Sequence, residues 1–205
     1  MNVLLVHGLW RTPLSFVMLV RRLRHWGYHT EHFSYAAIAQ RYDAIVARLR
    51  DRLEGLAARG SYAVIGHSLG GILLRSALHG MSGTPPRHFV MLGTPNQPPR
   101  LARMLGVSVA YRWLMGECGT KLTSSEFYAR LPYPLTPYTI VAGTAGPRGR
   151  WSPFRGEPND GIVAVSETQI GPDDPVVVLP VTHTFMMNNA AVHAVIRHAL
   201  GAVAP

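Results

Sequence analysis

The sequence predicts an α/β fold, a mostly parallel sheet with helices on both faces. Three observations carry that expectation. Short apolar runs alternate with amphipathic stretches from end to end, the order that builds parallel strands joined by helical crossovers. The first run, Val3-Leu4-Leu5-Val6, is continuously apolar, as expected for a strand buried on both faces. Finally, Gly66-His67-Ser68-Leu69-Gly70-Gly71 stands between the strand-like Ser61-Tyr62-Ala63-Val64-Ile65 and the helix-like Ile72-Leu73-Leu74. This is the G-x-S-x-G pattern in the strand-turn-helix context that its chemistry needs.

Residues 2–6 form the first predicted strand. Thr12-Pro13 reads as an N-cap followed by proline at the first helical position, and Gly27 closes that helix. A second strand is expected over 29–35. Residues 40–58 carry Ile45, Leu49, Leu53 and Leu56 at three- and four-residue spacing, an amphipathic helix ending at Gly60. After the serine turn and its helix, His88-Phe89-Val90-Met91-Leu92 is a strand stopped by Gly93-Thr94-Pro95. The pattern weakens over 97–134, which reads as an insertion of short helices over the site. Tyr138-Thr139-Ile140-Val141-Ala142 resumes the sheet, and residues 143–159 are a Gly/Pro-rich loop. Val176-Val177-Val178-Leu179 is the last strand, and a helix over 185–200 follows.

The chain has 205 residues, of which 47% are hydrophobic, enough for one substantial core. With no repeat or low-complexity stretch, residues 1–205 are expected to form a single domain. No run of about 18 apolar residues suggests a membrane span. The N-terminal residues lead directly into a strand rather than a signal peptide, so a cytoplasmic location is expected. Cys118 is the only cysteine, which excludes an intrachain disulfide and a cysteine-based zinc site. The formal charge of +9 comes almost wholly from arginine. Its clusters, Arg21/Arg22/Arg24 and Arg48/Arg50/Arg52, lack interleaved aromatics and read as solvated helix faces rather than a nucleic-acid surface. Contact with an anionic lipid surface stays open.

A serine hydroxyl needs a base to take its proton and a third group to orient that base. Ser68, at the tip of the sharp turn, is the candidate nucleophile. In this kind of fold the acid and then the histidine follow it, each after a strand. Asp160 and His183 satisfy that order. Asp173 and Asp174 lie in Gly171-Pro172-Asp173-Asp174-Pro175, which has the composition of a solvated turn, and Glu157 is an outside candidate. His193 and His198 fall within the terminal helix. His67 should point away from Ser68 by the period of two and is read as a packing residue. The backbone N–H of Leu69 is one expected donor to a developing oxyanion. The loop His7-Gly8-Leu9-Trp10 supplies the other, from Leu9 or, in its place, Trp10. Trp10, Trp113 and Leu114 are expected to line the substrate site, with other apolar side chains between Tyr111 and Tyr133.

These residues resemble the lipase and esterase branch of the alpha/beta-hydrolase superfamily. Val6-His7-Gly8 is similar to its oxyanion loop, Gly66-His67-Ser68-Leu69-Gly70-Gly71 to its elbow, and Gly93-Thr94-Pro95 to a recurring strand end beside it. Asn159-Asp160-Gly161-Ile162-Val163 resembles the acid loop, and His183 takes the place of the base. The chain resembles minimal members lacking two leading strands, with no large lid and no acidic cluster suited to calcium. The resemblance implies a serine hydrolase of small-molecule or lipid esters that needs no cofactor and no metal. The same triad could serve a thioesterase or an acyltransferase, and a non-catalytic binding module of this fold is the alternative outside enzymes.

Overall fold

A computed structural model describes residues 1–106 and 108–201. Val107, the last four residues and the side chains of 109–112, Tyr111 of the expected lining among them, lie outside the described residues. The strands are β1 (Asn2–Val6), β2 (His29–Phe33), β3 (Tyr62–His67), β4 (Phe89–Leu92), β5 (Tyr138–Gly143) and β6 (Val176–Leu179). The helices are α1 (Val17–His25), α2 (Tyr42–Ala57), α3 (Leu69–Leu78), α4 (Arg100–Gly106), α5 (Val109–Lys121), α6 (Ser125–Ala129), α7 (Val165–Thr168) and α8 (Ala190–Gly201). Two short 3-10 turns precede α1 and α8.

The strands form one six-stranded sheet in the order β2-β1-β3-β4-β5-β6, and every pairing is parallel. Parallel strands carry crossovers on both faces, so both faces are buried. The period of two divides each strand between them. Leu4, Val6, Val64, Phe89, Met91 and Ile140 join the helices α2 and α3 in one core. Val3, Leu5, Ile65, Val90, Leu92 and Val141 face the other, under α1 and α8. This is the parallel sheet with helices on both faces that the sequence predicts. Among the described residues, no helix is long and apolar enough to cross a membrane.

Two helix boundaries differ from expectation. The segment after Thr12-Pro13 begins as a 3-10 turn, and the Thr12 side chain caps nothing; instead, Ser15 Oγ donates to the Thr12 carbonyl at 2.7 Å. The terminal helix is likewise not continuous from Phe185. A 3-10 turn (Met186–Asn188) comes first, and Asn189 starts α8 by accepting the Ala191 N–H on Oδ1 at 2.8 Å.

Helices α4, α5 and α6 occupy the expected 97–134 insertion. Its far end is fastened by Arg75, a buried side chain of α3. The guanidinium donates to the carbonyls of Leu131 (3.1 Å) and Pro132 (2.8 and 3.0 Å) and to Asn96 Oδ1 (2.9 Å). Burial pulls its pKa down to about 10, which leaves it charged at neutral pH. Helix α5 breaks at Gly116 (φ +63°), where its backbone packs against that of Ala37 and Ile38.

Candidate active site

Ser68 sits between the last residue of β3 and the first of α3, with φ +53° and ψ −123°. An L-residue pays a steric cost in that region, so the surrounding contacts must enforce it. Its N–H donates to the Leu92 carbonyl at 2.9 Å, and its carbonyl accepts the Gly71 N–H at 3.0 Å. The turn is so tight that only glycine fits on either side. A Cβ on Gly66 would lie 2.6 Å from Gly71, and one on Gly70 would lie 2.1 Å from the Val6 carbonyl oxygen.

The loop after β1 passes directly beside the serine. A Cβ on Gly8 would lie 2.9 Å from the Ser68 Cβ. Leu9 is half-buried against the α2/α3 core, and Trp10 holds a left-handed backbone conformation (φ +58°). Neither the Leu9 N–H nor the Leu69 N–H has a backbone or side-chain acceptor among the described residues. Leu69 is the first residue of α3, where the helix directs its unpaired donors and positive dipole end.

Asp160 and His183 meet in a buried contact. His183 Nδ1 lies 2.7 Å from Asp160 Oδ2. The second carboxylate oxygen accepts the N–H groups of Ile162 (2.9 Å) and Val163 (2.7 Å), so both oxygens are held. Both residues are buried. Gly93 at the end of β4 makes room for the pair: a Cβ there would lie 3.0 Å from His183 Nδ1 and 3.1 Å from Asp160 Oδ2.

His67 corrects an expectation. It does point to the opposite side of β3 from its neighbour, but the loop bearing His183 crosses under that side. Its Nε2–H donates to the His183 carbonyl at 3.0 Å, and the two rings lie 4.8 Å apart. A carbonyl only accepts, so the proton is on Nε2 and Nδ1 is left bare, buried and without a partner among the described residues. Burial, and then the neighbouring His183, hold its pKa well below the usual histidine value. A neutral ring therefore ties the residue before Ser68 to the backbone of His183.

The competing acids are engaged elsewhere. Asp174 accepts the hydroxyls of Tyr133 (2.7 Å) and Tyr138 (2.7 Å) and the Gly171 N–H (2.7 Å). Glu157 pairs with Arg100 and Ser166. His193 bonds the Met187 carbonyl. Among the described residues, no group of three or more His, Cys, Asp or Glu side chains is placed to hold a metal ion.

A cavity of about 410 Å³ opens beside Gly8, lined by His7, Trp10, Tyr35 and Ile38 among others. The Trp10 indole N–H donates to Met115 Sδ of α5 at 3.1 Å. Trp113 and Leu114, on the same helix, line no part of this cavity; they are 80% and 44% exposed. Helix α5 turns those two side chains to solvent while its break at Gly116 packs on the cavity wall.

A family model described as "Alpha/beta hydrolase family" matches residues 3–203. No curated protein matches the sequence. Among solved structures, phospholipase PlaB from Legionella pneumophila in complex with thio-NAD is similar at TM-score 0.69 and 19% identity, over 98% of this chain and 58% of that one. In another PlaB structure the match covers 46% of that chain, so this chain spans about half the phospholipase. The RedJ thioesterase of the prodiginine biosynthetic pathway in Streptomyces coelicolor is similar at TM-score 0.62 and 18% identity, over 100% of this chain and 90% of that one. A thermophilic esterase from Thermogutta terrifontis is similar at TM-score 0.62 and 14% identity, over 99% and 90%. At such identities the likeness is one of fold.

Proposed function

The chain belongs to the alpha/beta hydrolase family, and from that premise we propose that it is a serine hydrolase cleaving carboxylic esters through an acyl-enzyme on Ser68. The observation that carries this reading is the buried contact of 2.7 Å between His183 Nδ1 and Asp160 Oδ2, fixed through His67 to the backbone beside a strained Ser68.

In this reading the ionised Asp160 keeps the His183 proton on Nδ1 and leaves Nε2 as the base. Nε2 takes the Ser68 proton as Oγ attacks the ester carbonyl carbon. The oxygen that becomes negative accepts from the N–H groups of Leu69 and Leu9, whose lack of other acceptors among the described residues suits them to the task. Such donors act without reorganisation at the moment charge develops. His183 then protonates the leaving alkoxide, and the alcohol departs. A water, deprotonated by His183, attacks the acyl-enzyme, and the proton returns through His183 to Ser68 Oγ.

The cavity beside Gly8 is the proposed acyl site, with Trp10 in its wall. Trp113 and Leu114 are exposed apolar side chains on α5, the helix whose Met115 meets Trp10, and would suit the outer part of a lipid ester. The substrate class is a small-molecule or lipid ester, with a thioester or an acyl acceptor other than water served by the same three residues.

A phosphonate probe should label the protein once, at Ser68. Ser68→Ala should abolish labelling and lower turnover of p-nitrophenyl butyrate by roughly four orders of magnitude with the fold unchanged. Labelling at another serine, or turnover that survives Ser68→Ala, would overturn the reading.

A further inference from the structure

Three non-glycine residues have a left-handed backbone among the described residues: Trp10, Ser68 and Arg155. The first two belong to the site above. Backbone strain of this kind persists where the surroundings enforce it and gathers at functional positions. Arg155 lies in the wall of a separate cavity of about 740 Å³.

That cavity is lined by Arg100 and Arg103 of α4 and by Arg150, Trp151 and Arg155 of the loop between β5 and Asp160. Four arginines there draw on two distant segments that the fold brings together. Arg100 is neutralised by Glu157 and Glu167. Arg103, Arg150 and Arg155 form no ion pair among the described residues. Arg150 lies over the face of Trp151, 4.9 Å from the ring centre, and that indole is 87% exposed. Three uncompensated guanidiniums around one concavity repel each other, and an anion placed among them relieves the repulsion.

The cavity shares its framework with the candidate active site. Glu167 accepts the Arg100 N–H on one carboxylate oxygen and the Ala164 N–H on the other. Ala164 in turn bridges to Asn159, which closes the turn that presents Asp160. Helix α4 and the arginine loop follow the C-terminal ends of β4 and β5, and so open on the same edge of the sheet as Ser68 and His183.

We propose that this cavity receives a phosphate group carried by the ester whose carbonyl is attacked at Ser68. A tetrahedral phosphate presents oxygens to several guanidiniums at once, whereas a single carboxylate is filled by one bidentate arginine. The substrate part of the proposal rests on the hydrolase reading above. The binding site itself does not.

Binding is tested first, without turnover, by calorimetric titration of inorganic pyrophosphate into Ser68→Ala. Saturable binding at one site is expected. Adding Arg103→Gln and Arg150→Gln should weaken it at least tenfold. Adding Arg21→Gln and Arg22→Gln, an equal charge loss on the exposed face of α1, should leave it unchanged. Equal weakening by both pairs, or titration without saturation, would reduce the effect to diffuse charge and overturn the proposal. Pyrophosphate should also protect Arg103, Arg150 and Arg155 of the unsubstituted protein from phenylglyoxal, read by mass spectrometry. Absence of protection overturns it independently of how the variants fold.

Matched substrates then test the carrier of the phosphate. Butyryl glycerol 3-phosphate is compared with monobutyrin, and butyryl-coenzyme A with the butyryl thioester of N-acetylcysteamine. The phosphorylated member of at least one pair should have a kcat/KM tenfold or more higher, with the gain lost under competing pyrophosphate. A gain in the first pair assigns a lipid headgroup, and a gain in the second a phosphorylated thiol carrier. No gain in either pair, or adsorption to phosphatidylglycerol vesicles with no preference among the soluble esters, overturns the substrate assignment. If pyrophosphate binds but no ester or thioester is turned over, the hydrolase reading has failed and the anion site stands.

Discussion

Asp160 and His183 are joined twice. The imidazole Nδ1 meets the carboxylate at 2.7 Å, and the His183 backbone N–H donates to the Asp160 carbonyl at 2.9 Å. The second bond holds the two loops together independently of the side-chain contact. Substitution at one position therefore changes the chemistry more than the geometry.

Asp160→Asn should keep the fold and lower kcat by about three to four orders of magnitude, because the amide favours the wrong imidazole tautomer. Asp174→Asn, whose carboxylate serves Tyr133, Tyr138 and the Gly171 N–H, should stay within a small factor of the unsubstituted rate. Steady-state rates on p-nitrophenyl butyrate distinguish them. Comparable losses, or a larger loss at Asp174, would move the acid.

His67 makes stability depend on pH. Burial and His183 depress its folded pKa well below 6.5, and burial lowers those of His7, His32 and His88 in the same direction. In the unfolded chain these rings protonate near pH 6.5. Above that value neither state binds the proton and stability is at its full value. As pH falls below 6.5, the unfolded state gains protons that the folded state refuses until its own lowered pKa is reached, so stability is progressively lost. Each such group contributes a slope of up to about 1.4 kcal/mol per pH unit. Thermal or urea unfolding of His67→Gln between pH 7 and 5 should give a shallower slope than the unsubstituted protein. An unchanged slope would remove His67 from the account.

Activity should favour short to medium acyl chains. The cavity of about 410 Å³ beside Gly8 accommodates a limited number of methylenes, each worth about 0.8 kcal/mol when buried. Rates over a p-nitrophenyl ester series should rise with chain length and then level. The insertion consists of three short helices whose end is pinned by Arg75, so no jump is expected when substrate passes its solubility limit. A sharp rise on emulsification, with long-chain triglyceride preferred, would show that the insertion moves as a lid.

Local pattern made much of this legible. The strands announce themselves as apolar runs, and the elbow glycines as positions where a Cβ would meet backbone. The loop at His183 falls directly after a strand signal, and Asp160 follows the Gly/Pro-rich loop after another. What stayed hidden depends on contacts between distant segments. The period of two places His67 away from Ser68, but nothing in β3 says that the His183 loop crosses beneath it. A helical arginine reads as solvated, yet Arg75 is buried because its partners are carbonyls that the insertion brings back to α3. The arginine cavity joins α4 to the loop after β5, segments that show no common charge pattern in sequence. Trp113 and Leu114 read as lining from apolarity alone, and their exposure shows only in the folded chain.

The all-parallel sheet also sets an order of events during synthesis. Parallel neighbours cannot be joined by a hairpin, so each strand adds only after a crossover has emerged, and such non-local pairing is slow. The Ser68 elbow needs only β1, β3 and the backbone of β4 around it, whereas His183 arrives after β6 has closed the far edge. In a nascent chain the residues of the serine turn are therefore made before the histidine, and on the proposed reading hydrolytic competence comes only after the last strand.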